Sequence, residues 1–242
     1  MGLETSLTPA PIFDWRTIRL VAFDVDGTLY RQDRLRRRMA AELATAALAR
    51  FSFTPIRILS TYRRLREKLA EAEVEHFEPV LLARTASACG AQPEQVATIA
   101  REWMERRPLA HLRPCVYPHL PELFAAIKAG GRKIGILSDY AAQEKLRALG
   151  LSADFIVAAG DEGVGRLKPH PRGLEALMAA AGVAPQETVL IGDRPERDGE
   201  AALRAGAAAL IRSSRKRAGW NTFASYDDSI FAPLFQTHHS HL

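Results

Sequence analysis

The strongest constraint on the fold is a rhythm that begins after Pro114. Short apolar runs alternate with helix-length stretches, and the helices stop at glycine. Residues 119–129 read as a helix closed by Gly130 and Gly131, with a strand at 133–137. A helix at 141–149 stops at Gly150, and a strand follows at 155–159. The helix at 171–181 stops at Gly182 before a strand at 188–191. The helix at 197–205 stops at Gly206 before a strand at 207–211. Strands separated by single helices pair in parallel through right-handed crossovers. An earlier apolar run, 18–23, reads as one more buried strand, opening at Gly27 into a loop. The expected fold class is α/β, a doubly wound parallel sheet.

Between residues 31 and 112 strand signals vanish. Helices are expected at 34–50, 55–72, 77–89 and 93–106. Pro55 and Pro93 sit where first-turn prolines belong, and Gly90 follows Cys89 as a stop. The organisation read from this is an α/β core made of 1–30 and 113–242, interrupted by a helical insert at 31–112. Residues 1–17 read as a loose lead-in.

In open α/β sheets, ligands sit beyond the carboxyl ends of the strands. Polar residues end three of the expected strands: Asp24 with Asp26, Ser138 with Asp139, and Asp193. Lys168, just before a helix, can point at the same crevice. Any one of these has an ordinary explanation as a cap or turn residue. Their arrival together, strand after strand, is harder to explain that way.

These residues carry a resemblance. Phe23-Asp24-Val25-Asp26-Gly27-Thr28-Leu29 is similar to the signature of the haloacid dehalogenase-like hydrolase superfamily. Leu137-Ser138 resembles its second motif, Lys168-Pro169 its third, and Gly192-Asp193 with Asp198 its fourth. The insert lies between motifs one and two, as in the subgroup with a helical cap there. The resemblance implies a Rossmann-like core and a Mg²⁺-dependent phosphatase acting on a small phosphorylated metabolite. Asp24 would be the nucleophile, forming an aspartyl-phosphate. Asp26 would protonate the leaving oxygen and then activate water. Ser138, Asp139 and Lys168 would line the phosphate pocket, with Lys168 placing positive charge against the transition state. Asp24, Asp193 and the Asp26 backbone carbonyl would hold Mg²⁺, an oxygen set that suits a hard cation. Asp198 would act through water or from behind the ligands. Asp139 departs from the pattern, since Asn or another small residue often follows that Ser. Its carboxylate is unfavourable beside a phosphate unless it turns away. A phosphomutase on the same scaffold is the near alternative, and a dehalogenase a weaker one.

The net charge of +5 suits an anionic substrate, but it also fits a merely basic surface. Arg34, Arg36, Arg37 and Arg38 form one cluster, and Arg212, Arg215, Lys216 and Arg217 another. Neither is interleaved with aromatics as a single-strand platform would be, so nucleic acid is not an expected partner. A non-catalytic binding protein with a basic surface is the alternative from another class. The first cluster reads as a solvated helix face, with Leu35 and Met39 on the buried side. Two cysteines, Cys89 and Cys115, make neither a disulfide framework nor a metal pattern, which suits the cytoplasm. No run is long enough for a membrane span or shaped like a secretory signal. The closing His238, His239 and His241 read as a frayed tail. Nothing specifies an oligomeric state.

Overall fold

Strand β1, Leu20–Phe23, is apolar throughout and wholly buried, as a strand covered on both faces must be. Its side chains alternate. Val21 and Phe23 enter the apolar cluster on one face of the sheet, and Leu20 and Ala22 enter the cluster on the other. The computed structural model describes residues 14–49 and 51–236. The other strands are β2 (Lys133–Ser138), β3 (Phe155–Ala158), β4 (Thr188–Gly192), β5 (Ala208–Arg212) and β6 (Thr222–Phe223). They form one parallel sheet in the order β3-β2-β1-β4-β5-β6. This is a doubly wound α/β fold, as expected. The chain leaves one half of the sheet after β3 and starts the other at β4. The crevice at this switch therefore opens beyond β1 and β4.

The insert contains α1 (Gln32–Ala49), α2 (Thr54–Glu71), α3 (Phe77–Cys89) and α4 (Pro93–Ala100). The helix expected at 93–106 changes pitch at Ala100 and continues as a wider π turn, Arg101–Arg106, before α5 (Leu109–Leu112). Ile58, Leu69, Phe77, Leu81 and Val96 make an apolar cluster of their own, joined by Ala159 and Leu167. Leu35 and Met39 of α1 instead enter the cluster on the sheet, as does Leu112. Arg34, Arg37 and Arg38 stand exposed, as their place on a solvated face requires.

The sheet is flanked by α6 (Leu120–Ala129), α7 (Gln143–Leu149), α8 (Arg172–Ala181) and α9 (Glu200–Arg204). The helix expected at 197–205 is split, because a π turn, Pro195–Gly199, precedes α9. The short strand β6 and the closing α10 (Ala232–Phe235) were not expected. They are too short to leave a periodic signal. The lead-in is also not loose where it is described. Trp15 is buried, and its indole Nε1 donates to the Ile230 carbonyl at 2.6 Å. Phe223, Tyr226, Phe231 and Leu234 complete this corner. Residues 1–13 and His238, His239 and His241 lie outside the described residues. Cys89 and Cys115 are free and buried. Among the described residues no helix is long and apolar enough to cross a membrane.

Candidate active site

The chain leaves β1 at Asp24, whose amide donates to the Ile191 carbonyl at 2.9 Å. It then closes a turn in which the Leu29 amide donates to the Val25 carbonyl at 3.0 Å. Gly27 sits in this turn at a φ of 104°. A Cβ there would collide with the Asp193 carboxylate, so glycine meets both needs, positive φ and close approach. The Thr28 hydroxyl donates to Asp24 Oδ2 at 3.0 Å. Asp24 and Asp193 are thus brought together by the ends of adjacent strands.

Lys168 arrives from the loop before α8. Its Nζ donates to Asp24 Oδ1 and Asp198 Oδ1, both at 2.6 Å. Asp198 is almost fully buried, and its Oδ2 accepts the amides of Asp193 (3.1 Å) and Arg194 (3.0 Å). The π turn swings Asp198 back over the end of β4, and Gly192 leaves the space, since a Cβ there would strike Asp198. Carboxylate oxygens of Asp24, Asp193 and Asp198 all lie within 4.8 Å of one another. Burial drives the Asp24 carboxyl well above its ordinary value. Lys168 opposes this, and Asp198, Asp193 and Asp26 add to it. Burial first, and then Asp198, push Asp193 up to about 6. Asp193 Oδ1 is buried and has no hydrogen-bond partner among the described residues. A buried acceptor without a donor, in a set of three carboxylates that share one ammonium, fits a hard divalent cation.

Asp26 is held differently. Both its oxygens accept from Lys145 Nζ, at 2.7 and 2.8 Å, and Tyr30 Oη donates to Oδ1. Burial pushes this carboxyl up, but Lys145 and Tyr30 more than offset it, and Asp26 lies below its ordinary value. Ser138 ends β2, buried, its Oγ accepting the Tyr140 amide at 3.2 Å. It stands behind the cavity wall, while Asp139 and Tyr140 line the cavity. Asp139 has turned its carboxylate to the Lys168 amide, which donates to Oδ1 at 3.3 Å. This answers the conflict that its position raised.

The opposite wall comes from the insert. Arg66 on α2 donates to the Asp139 carbonyl. Glu67 accepts from Arg194 Nη1 (3.1 Å) and Arg197 Nη2 (2.6 Å). Arg197 is buried and its Nη1 donates to the Lys168 carbonyl at 2.6 Å. A cavity of about 180 Å³ lies between core and insert, lined by Asp24, Asp26, Asp139, Lys168, Asp193 and Asp198. Lys145 and Arg66 were not anticipated, yet each left a trace. Lys145 stands between Ala142 and Leu149 in the buried stripe of α7, and Arg66 between Tyr62 and Ala70 in that of α2. A cation in an apolar stripe is the signal.

A doubly wound parallel sheet with acidic strand ends at its switch point and a lysine between them defines an α/β protein with a carboxylate centre. The family model of haloacid dehalogenase-like hydrolases matches residues 18–206. Among curated proteins, the chain is 29% identical over 192 residues to the glyceraldehyde 3-phosphate phosphatase of Methanopyrus kandleri, covering 78% of this chain and 81% of that one. It is 28% identical over 229 residues to the phosphoglycolate phosphatase of Rhodospirillum rubrum, covering 89% of each. The magnesium-bound hydrolase YfnB of Bacillus subtilis shares the fold, with a TM-score of 0.66 at 14% identity over 90% of this chain and 98% of that one. The chain belongs to the haloacid dehalogenase-like hydrolase family.

Proposed function

We propose that this hydrolase is a Mg²⁺-dependent phosphatase that cleaves a small phosphate monoester through Asp24. The observation that carries the reading is the juxtaposition at the end of β1 and β4. There a buried carboxylate is bonded by a lysine and sits beside Asp193, whose inner oxygen has no partner among the described residues. The phosphatase names of the curated relatives support the reaction class.

Asp24, Asp193 and the Asp26 carbonyl would hold Mg²⁺. When bound, the ion supplies positive charge that lets a carboxylate approach a phosphate dianion. Asp198 is not needed as a direct ligand. Its two oxygens are engaged by Lys168 and by the amides of Asp193 and Arg194, so it fixes the others in place. A carboxylate oxygen of Asp24 attacks phosphorus and the ester P–O bond breaks. Lys168 neutralises charge on the transferring group, while Ser138, behind the cavity wall, holds the Tyr140 amide and so shapes the loop that carries Asp139. The leaving oxygen takes a proton from Asp26. Asp26 then takes one from water, whose oxygen attacks the aspartyl-phosphate and frees Asp24. Lys145 and Tyr30 hold Asp26 below its ordinary value in the free enzyme, so the proton that it delivers enters with the monoanionic form of the ester or from water as the complex forms. The negative charge of the incoming ester raises the affinity of Asp26 for that proton.

The insert acts as a cap. Arg66 and Glu67 tie α2 to the loops after β2 and β4, and cavity walls come from both parts. The free thiols suit a cytoplasmic setting.

The deciding assay uses p-nitrophenyl phosphate. EDTA should reduce turnover to background and Mg²⁺ should restore it. Calcium should support it poorly, because its looser, higher coordination misplaces the nucleophile. Undiminished activity in metal-free buffer would reject the metal role.

Asp26→Asn should separate substrates by leaving group. With an alkyl phosphate, the loss should be about 10² to 10⁴, the usual worth of a general acid. With p-nitrophenyl phosphate it should be smaller, since that anion departs with little help. Equal losses on both esters, measured as kcat/KM, would remove Asp26 from the acid role.

A further inference from the structure

Most cations around the cavity hold a carboxylate. Lys168 pairs with Asp24 and Asp198, Lys145 with Asp26, and Arg194 and Arg197 with Glu67. Arg36, Arg63 and Arg66 also line the cavity, and among the described residues none of them makes an ion pair. Arg36 and Arg63 are exposed, so water satisfies them. Arg66 is different, being only 5% exposed. Its guanidinium lies 4.0 Å from the Tyr140 ring and 4.9 Å from that of Phe77, and it donates to the Asp139 carbonyl. Asp139 and Glu78 act on it through their fields without reaching ion-pair distance. A guanidinium cannot shed its charge, and a buried charge without a counter-ion is costly. Sites that tolerate one commonly expect the counter-ion from a ligand.

We propose that Arg66 binds a carboxylate of the substrate, so that the preferred esters are short phosphorylated carboxylic acids. This rests on the phosphatase reading above. The planar fork of arginine matches a carboxylate with two parallel hydrogen bonds. Flanking aromatic rings favour a flat monoanion over a second tetrahedral phosphate. The spacer is short because one residue, Asp139, separates the two anion sites. Its carbonyl takes Arg66, and its carboxylate takes the amide of Lys168, whose ammonium touches Asp24. The cavity of about 180 Å³ also falls below the several hundred Å³ that hold larger ligands.

The test compares phosphoglycolate with 2-hydroxyethyl phosphate, which replaces the carboxylate by a neutral alcohol, and with ethylene glycol bisphosphate. Wild type should prefer the acid in kcat/KM by about 10- to 100-fold, the worth of a charged hydrogen bond. In Arg66→Met that ratio should collapse toward one, and Arg66→Lys should restore part of it. A purely structural tie between insert and core would lower all three rates together and leave the ratio unchanged. An unchanged ratio, no acid preference in wild type, or a preference for the bisphosphate would overturn the proposal. If wild type hydrolyses no ester, p-nitrophenyl phosphate included, the phosphatase reading itself fails. Calorimetric binding of phosphoglycolate to Asp24→Asn, with and without Arg66→Met, then still decides. Weakening specific to the acid upholds the carboxylate site, and equal affinity for acid and alcohol removes it.

Discussion

Asp24→Asn should yield a folded protein with turnover lowered at least about 10³-fold, a barrier increase of about 4 kcal/mol. The amide is nearly isosteric and keeps contact with the Thr28 hydroxyl, but it is a poor nucleophile and a weak metal ligand. Stability should not suffer. Burial and the neighbouring carboxylates hold the Asp24 carboxyl well above its ordinary value, so its ionised form is disfavoured in the fold. A raised carboxyl costs stability as pH rises through the ordinary range and the folded protein retains a proton. A neutral side chain removes that cost, and Lys168 still has Asp198 as a partner. Thermal unfolding of the variant at neutral pH, without metal, should therefore match wild type or exceed it. Turnover within about tenfold of wild type, a barrier change of only about 1.4 kcal/mol, would exclude Asp24 as the nucleophile.

Lys168→Met should damage both activity and the fold. Lys168 is almost fully buried and joins two buried carboxylates. Burial alone would lower its pKa, but Asp198 and Asp24 hold it well above the ordinary value. Removing one partner of a buried pair leaves an uncompensated charge and costs about 3 to 5 kcal/mol. For a chain of this size that is about a 10 °C fall in the unfolding midpoint. Mg²⁺ should recover more stability in the variant than in wild type, because a second source of positive charge then enters the same cluster. Lys168→Arg should keep more of the stability yet stay slow, since its bulkier fork cannot reproduce one ammonium between two oxygens. A methionine variant as stable as wild type in metal-free buffer would show that Lys168 is not the counter-ion of this cluster.

The strand-end residues were legible for a local reason. A short apolar run ending in Asp carries its message within a few residues; β1 ended where that pattern placed it, and β2 and β4 ended one residue further on. Asp24, Asp26, Asp139 and Asp193 followed directly. Asp139 was read as a conflict, and the resolution lay out of reach. The amide that receives its carboxylate belongs to Lys168, 29 residues further on. The C-terminal corner failed for the opposite reason. β6 spans two residues, and its aromatic neighbours have no spacing that marks a sheet edge.

By itself, the amino-acid sequence determined the alternation of helix and strand, and hence a parallel sheet whose carboxyl ends gather the acidic groups. That information is carried by period and by glycine stops, which act within one element. Only the tertiary structure decided what each charge faces. Lys145 meets Asp26 across 119 residues, and Arg197 meets Glu67 across 130. It also decided that Arg66, buried in the wall of the same cavity, makes no ion pair among the described residues. A charged side chain declares its sign locally, but its partner is chosen by the packing of distant elements, and in a low-dielectric interior that partner sets its energy and its use.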